Sequence, residues 1–445
     1  MDGSGHMNAC VGVAQALVKR GHKVSFLLNA AFAGQFAKFG FDEVVLHRTP
    51  AEGNNDQKNE ERKNPVKVFA KMIKEMGLLG PATPLERIKE KKKESDKVFS
   101  ENLRQTTREF NPQIQAAIER DQPDLIILDH FLIPPAVPKS GIPWLLLFSG
   151  NPLAIFNSEN LPPFSSGYSV ANSDRELWQE FLEYARKKYL DFKDVQHELF
   201  AEFGYEPKEA SELPFYNNNS SFIPQCKYGY IYGCPKELDY DDVITIPDNY
   251  IQIDAFCREV PEPFQLPEEI TSRKPDQKLI YFSLGSMGSV DVDLVKKISS
   301  LLSKTGHKII VSKGPLADEY ELPENCWGEG YLPQTRILPL VDLVITHGGN
   351  NTVTETFSFG RPMIVMPLFG DQYDNAQRIH EKGYGIRIDP YTFNDESLLN
   401  AIDQLLNDKA LHSRLAQAAK RIETFNSKEK ACEKIEQLVE RYQSV

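Results

Sequence analysis

The string Thr346-His347-Gly348-Gly349-Asn350-Asn351-Thr352 joins the end of an apolar run to the start of a helical one. Glycines at such a turn let backbone N–H groups approach a ligand closely, and the helix N-terminus behind them carries a partial positive charge. A phosphate suits that position, and His347 can donate one more hydrogen bond to it. Glu355, about one turn further on, is a carboxylate suited to accept from two ribose hydroxyls. The same residues also fit an ordinary strand-to-helix turn with a capping Asn and a Glu favoured by the helix dipole. Pro367-Leu368-Phe369-Gly370-Asp371-Gln372 has the same character. Asp371 and Gln372 pair an acceptor with an amide, which can grip sugar hydroxyls; Asp371 is equally suited to cap the next helix. Gly285-Ser286-Met287-Gly288 is a third flexible turn, a weak signal by itself.

Elements must hold these turns on one edge. Residues 279–284, 308–312, 343–346 and 363–366 are short apolar runs without alternation, which suits parallel strands covered on both faces. Helical patterns lie at 291–304, from 350 through 359, and at 371–382, and charged helices run from 394 to 442. The first half repeats the theme, with a helix at 9–20 closed by Gly21 and strands at 23–28, 125–128 and 144–148. Residues 51–64 read as a polar loop, and 85–97, with the charge run 89–94, as the solvated face of a helix. An aromatic-rich helix is expected over 176–200. Repeated βα units predict two doubly wound α/β domains, at 1–255 and 276–425, with a proline-marked linker at 256–275. A final helix, 426–445, is free to pack back on the first domain.

One feature of the N-terminus breaks the pattern. The glycine turn Asp2-Gly3-Ser4-Gly5-His6 has no strand in front of it, although a doubly wound domain places its first ligand loop after a strand. Either that strand lies outside this sequence or the first domain lacks a central strand and keeps two unpaired edges.

Bulk composition narrows the function. The 445 residues are 41% hydrophobic and carry a net charge of −12. Such an acidic chain is a poor partner for nucleic acid or anionic membrane. Cys10, Cys226, Cys234, Cys257, Cys326 and Cys432 are scattered, with no zinc-ligand spacing, and read as reduced thiols. Asn218 and Asn219 open overlapping N-x-S sequons, but no secretory context supports their use. No apolar run approaches the roughly 20 residues that span a bilayer, and no signal peptide pattern opens the chain, so a soluble, cytoplasmic protein is expected.

Tyr331-Leu332-Pro333-Gln334, the ThrHisGlyGly string at 346–349, Glu355, and Asp371-Gln372 follow in order and spacing the donor-binding signature of the UDP-glycosyltransferase superfamily. The chain resembles that family clearly from 279 to 388, and Ser283-Leu284-Gly285-Ser286-Met287 is similar to its diphosphate loop. The resemblance implies a GT-B fold, two Rossmann-like domains facing across a cleft, with UDP-sugar on the second and acceptor on the first. It implies uracil stacked on Tyr331 and read by Gln334, with Gly285, Met287, Leu332, Gly349 and Asn350 lining the site. The diphosphate would meet Ser286, His347, Asn351 and Thr352. Ribose would meet Glu355, and the hexose Asp371 and Gln372. Tyr331 replaces the Trp frequent in the family and keeps an aromatic face. Asn350 stands where the plant branch has Trp. The signal peptide and membrane tail of vertebrate members have no counterpart here.

By the same resemblance His6, in a Gly-His element, is the general base; Asp129, ending the run 125–128, would orient its imidazole, with Asp124 a weaker competitor. The reaction expected is a single inverting displacement that moves a hexose, glucose by analogy, from UDP to an acceptor hydroxyl. No metal and no cofactor beyond the UDP-sugar co-substrate is expected, since no DxD-type cluster lies near these turns. Phe131, Phe148 and Phe156 are expected to line an apolar acceptor pocket, with Phe164, Trp178 and Phe181 nearby. A small hydrophobic acceptor such as a flavonoid, phenol or other xenobiotic fits it. Three rivals remain: a non-catalytic relative that binds UDP-sugar or a hydrophobic ligand, a UDP-sugar epimerase, and a dinucleotide-dependent oxidoreductase. The last needs a third glycine that Gly3-Ser4-Gly5-His6-Met7-Asn8 lacks.

Overall fold

A computed structural model describes residues 4–49, 65–91, 94–172, 174–207, 223–260 and 263–443. The loop expected at 51–64 and the sequons at Asn218 and Asn219 lie outside them. Helix α1 (Ser4–Lys19) leads to the parallel pair β1 (Ser25–Asn29) and β2 (Asp42–Leu46). Helices α2 (Pro65–Met76), α3 (Pro84–Lys89) and α4 (Glu94–Asp121) precede β3 (Ile126–Leu128), α5 (Ala136–Lys139) and β4 (Trp144–Phe148). The long α6 (Arg175–Glu202), β5 (Tyr230–Gly233) and β6 (Tyr250–Ile253) complete this half. Strands β3 to β6 form a parallel sheet in chain order. The charge run at 89–94 is not one helix face: α3 ends at Lys89 and Lys91 lies outside any helix.

The second half begins with α7 (Glu268–Thr271), β7 (Leu279–Ser283), α8 (Gly285–Gly288), α9 (Val292–Ser303), β8 (Lys308–Ser312) and β9 (Cys326–Glu329). It continues with α10 (Gln334–Ile337), β10 (Leu343–Thr346), α11 (Asn350–Ser358), β11 (Met363–Val365), α12 (Gln372–Glu381) and β12 (Gly385–Arg387). Three helices close the chain: α13 (Asp395–Asn407), α14 (Lys409–Phe425) and α15 (Ser427–Gln443). The six strands are all parallel, ordered β12-β11-β10-β7-β8-β9. Every residue of β7, β10 and β11 is buried, because helices cover both faces of the sheet. Both halves are Rossmann-like. Among the described residues, no helix is long and apolar enough to cross a membrane.

Helix α1 bridges the two sheets of the first half. Ala9, Val13 and Leu17 pack with Leu145, Leu147 and Ile251, while Val11 and Ala14 pack with Leu28, Phe36 and Phe41. Gly12 sits where α1 meets the Phe256 carbonyl: a Cβ there would lie 1.9 Å from that oxygen. Helix α15 closes over the same core through Ala431, Cys432, Ile435 and Leu438. Among the described residues no strand pairs β1 with β3, and all three residues of β3 stay half-buried, whereas β4 is buried throughout. The expected glycine turn at 2–6 is instead helix from Ser4 onward, so His6 lies in the first turn of α1; Asp2 and Gly3 lie outside the described residues.

The halves are tied by buried polar contacts. Arg378 on α12 donates from Nε to the Leu238 carbonyl at 2.9 Å and from Nη2 to the Asp239 carbonyl and the Asp242 carboxylate. Its Nη1 donates to Glu381 at 3.0 Å, and its guanidinium lies 4.5 Å over the Tyr240 ring. Replacing it removes one side of a buried charged network and leaves two carbonyls without a donor. Arg378→Met is expected to destabilise the protein by about 3–5 kcal/mol in urea unfolding; a loss below about 1 kcal/mol would show that these bonds are not what joins the halves.

Candidate functional site

Strands β7 and β10 are neighbours where the strand order reverses, so the loops leaving their C-terminal ends open into one crevice. Ser286 is exposed at its rim, and Met287 packs below with Val290 and Leu316. From the β10 side His347 lies between two glycines. A Cβ on Gly349 would sit 2.5 Å from His347 Nε2, and one on Gly285 2.7 Å from the same atom. Burial pushes the imidazole down to about 4, so His347 is neutral at ordinary pH and can donate one N–H without bringing charge. Helix α11 begins at Asn350 and points its first N–H groups into the crevice.

Glu355 lies inside α11, where burial raises its carboxyl although it accepts from Gln334 Nε2 at 2.6 Å. Thr352 Oγ1 is 3.3 Å from the same amide. Tyr331 is 70% exposed, its hydroxyl accepting from Arg258 at 3.2 Å, while Leu332 is buried beneath it. Tyr331 thus presents an exposed aromatic face, while the Glu355 carboxylate is buried and paired with Gln334. Asn350 and Asn351 do something the sequence did not suggest. Asn350 Nδ2 donates to the Gly233 carbonyl at 2.9 Å and Asn351 Nδ2 to the Gly5 carbonyl at 2.7 Å, so both side chains tie α11 to the first half. Gln372 Oε1 accepts from the Leu368 and Phe369 N–H groups and shapes its own turn.

Asp371 makes no capping bond. Its carboxylate accepts from the Asn151 N–H at 3.0 Å and from Asn375 Nδ2 at 3.3 Å. Burial pushes it up to about 6, against these bonds and the nearby His6.

Across the cleft His6 Nδ1 lies 2.9 and 3.1 Å from the two oxygens of Asp129, at the end of β3. Burial alone would raise Asp129, but the charge of His6 and its hydrogen bond outweigh burial and hold the carboxyl below its usual range. An ionised carboxylate only accepts, so the proton sits on Nδ1 and the Nε2 lone pair is left for a substrate. Ser149 Oγ is 2.9 Å from the same Nδ1, and Cys10 Sγ donates to Asp129 at 3.6 Å. Asp124 is exposed and accepts instead from Gln443. Phe131 stands edge-on to the His6 ring at 6.3 Å, and Phe148 is edge-on to Phe164 at 6.4 Å. Phe156 is not brought to His6: it is 1% exposed, packed against Tyr232, Tyr240 and Tyr250 in the core. Trp178 and Phe181 are likewise buried. Ser149, Asn151, Asn375 and Arg258 were missed. The first two directly follow the apolar run of β4, where the strand-end rule could have found them.

The fold is the GT-B fold of two Rossmann-like domains. Residues 247–419 match the family model described as UDP-glucoronosyl and UDP-glucosyl transferase. The NDP-glycosyltransferase YjiC of Bacillus subtilis (strain 168) is 23% identical over 437 residues, covering 97% of this chain and 94% of that one. Human UDP-glucuronosyltransferase 1A7 is 28% identical over 298 residues, 64% of this chain and 52% of that one. The solved glycotransferase of kitacinnamycin superposes with a TM-score of 0.65 at 19% identity, covering 98% of this chain and 97% of that one. Residues 247–419 thus carry a UDP-glycosyltransferase domain, and the chain is an enzyme that transfers sugar from a nucleotide-sugar donor.

Gly349 has φ −58°, which any residue can adopt, so a side chain there tests crowding alone. Gly349→Ala is expected to displace His347 and weaken UDP binding about tenfold or more by calorimetry; unchanged affinity would contradict the packing of this loop around the nucleotide site.

Proposed function

We propose that the enzyme moves a glucosyl group from UDP-glucose, with inversion, to a hydroxyl of a small hydrophobic acceptor such as a flavonoid, phenol or other xenobiotic. The observation that carries this reading is the His6–Asp129 pair facing a crevice closed by a helix N-terminus. Uracil stacks on Tyr331, ribose bonds to Glu355, and the diphosphate meets Ser286, His347 and the first N–H groups of α11. Asp371, with the turn held by Gln372, takes the hexose hydroxyls.

In the reaction His6 Nε2 removes the proton of the acceptor hydroxyl as its oxygen attacks the anomeric carbon. The bond from that carbon to the diphosphate oxygen breaks, and UDP leaves with the electron pair. Asp129 stabilises the imidazolium that forms. The aligned N–H groups of α11 take up the charge growing on UDP, in a crevice where such donors act strongly. The acceptor rests beside Phe131, the ring that stands edge-on to His6, whereas Phe148 is packed into the core against Phe164.

UDP release from UDP-glucose should require an acceptor drawn from a panel of flavonols, sterols and simple phenols. His6→Ala is expected to lower that release by ~10²–10⁴-fold with UDP affinity unchanged. Equal turnover by the variant would remove His6 from the base role, and binding of UDP with no release for any acceptor would favour a binding-only protein. The Asp371 carboxyl, near 6, supplies a pH test. As pH falls through 6 it protonates and loses an acceptor for the hexose, so KM for UDP-glucose should rise while UDP affinity follows a different profile. Asp371→Asn should flatten the KM profile; an unaltered rise in that variant would place the titration elsewhere.

A further inference from the structure

Asn151 is 2% exposed, and each of its polar groups has a partner. Its backbone N–H donates to Asp371 Oδ2 at 3.0 Å. Its Nδ2 donates to Asn375 Oδ1 at 2.8 Å. Its Oδ1 accepts from the Leu153 N–H at 2.9 Å and from the Tyr240 hydroxyl at 3.3 Å. Asn375, also buried, passes the connection on: its Nδ2 lies 3.3 Å from Asp371 Oδ2 and donates to the Gly348 carbonyl at 2.9 Å. Gly348 belongs to the loop that carries His347. On the other side Asn151 stands two residues after Ser149, whose hydroxyl is 2.9 Å from His6 Nδ1. One short path of hydrogen bonds and main chain thus joins the His6 imidazole, the Asp371 carboxylate and the loop after β10.

An amide pair of this kind is demanding. Each carboxamide must be oriented in one sense, because reversing either would set N–H against N–H or oxygen against oxygen. Gly150, between Ser149 and Asn151, leaves the room: a Cβ there would lie 2.9 Å from Phe148 Cζ and 3.2 Å from Asp371 Oδ2. Asp371 would otherwise be a buried carboxylate free to choose among rotamers. Held from the first half by the Asn151 N–H and from its own helix by Asn375, it has one.

We propose that Asn151 and Asn375 form an interdomain positioning pair that fixes the Asp371 carboxylate for the hexose and sets it in register with His6. The inference rests on the hexose role given to Asp371 above. Neither amide need touch the nucleotide: both act through Asp371. The consequence is that selection among hexose donors depends on a residue of the first half, so the sugar subsite is complete only when the halves are together.

The test uses the full chain and the variants Asn151→Ser, Asn151→Ala, Asn375→Ala and the double variant Asn151→Ala/Asn375→Ala. Asn151→Ser keeps an oxygen for the Leu153 N–H and so guards against loss of folding. UDP affinity is read by calorimetry, and kcat/KM is compared for UDP-glucose and UDP-galactose, which differ only at the C4 hydroxyl. Each Asn151 variant is expected to lower kcat/KM for UDP-glucose about tenfold, the scale of one lost buried hydrogen bond. UDP affinity should stay within about twofold, and the preference between the two sugars should shrink. The double variant should be no worse than about the poorer single one, because the two residues serve one contact. An unchanged sugar preference with an intact fold would overturn the inference, as would additive effects in the double variant. A natural chain that fails to bind UDP at all would instead overturn the proposed donor site, a result separate from the behaviour of the pair.

Discussion

The hydrogen bond between His6 Nδ1 and Asp129 crosses 123 residues of sequence and joins the first turn of α1 to the end of β3. Much of the first half is arranged so that it can form. Helix α1 must lie across two sheets, and it does so because it carries apolar residues on two sides, Ala9, Val13 and Leu17 for one core and Val11 and Ala14 for the other. Gly12 lets the helix descend onto the Phe256 carbonyl. Asp129 is buried, a costly place for a carboxylate, and it stays ionised because His6 faces it. The bond then fixes which nitrogen of His6 bears the proton, and so which one faces the cleft.

The donor side solves a different problem. In the proposed function phosphate is held by a chain with net charge −12, and His347 beside it is neutral. The response is geometric. Two loops leave neighbouring strands at the reversal of strand order, and α11 presents its N–H groups there. The two sides share a continuous apolar core, and polar bonds add to it. Arg378 reaches the 238–242 segment, Arg421 binds Glu237 and Asp254, and Asn350 and Asn351 hold Gly233 and Gly5. Polar ties of this sort fix direction as well as distance, which an apolar interface of the same size would not.

Much of this was legible in the sequence, for specific reasons. Strands such as Trp144–Phe148 and Leu343–Thr346 are unbroken apolar runs, and their bounds were read as they stand. Strands β9 and β12 were not read, because Cys326–Glu329 and Gly385–Arg387 are too short and too mixed to carry a pattern. The loops at 285–288, 346–352 and 367–372 were found because glycine at a strand end is a strong local signal. Side-chain direction was not legible. Asn350 and Asn351 belong to a loop that suits phosphate, yet their amides bond across the domain interface. Phe156 is aromatic and near the cleft in sequence, yet it packs among three tyrosines. Asn375 carries no motif at all; its meaning arises only when its helix is brought against the segment after β4.

In the proposed reaction Asp129 holds the Nδ1–H tautomer of His6 and leaves Nε2 as the base. Nitrogen-15 NMR of histidine-labelled protein, with His6 assigned by comparison with His6→Ala, reads that tautomer directly. A protonated Nδ1 and an unprotonated Nε2 are expected in the neutral ring, with the preference lost in Asp129→Ala. A neutral His6 that carries its proton on Nε2 would contradict it.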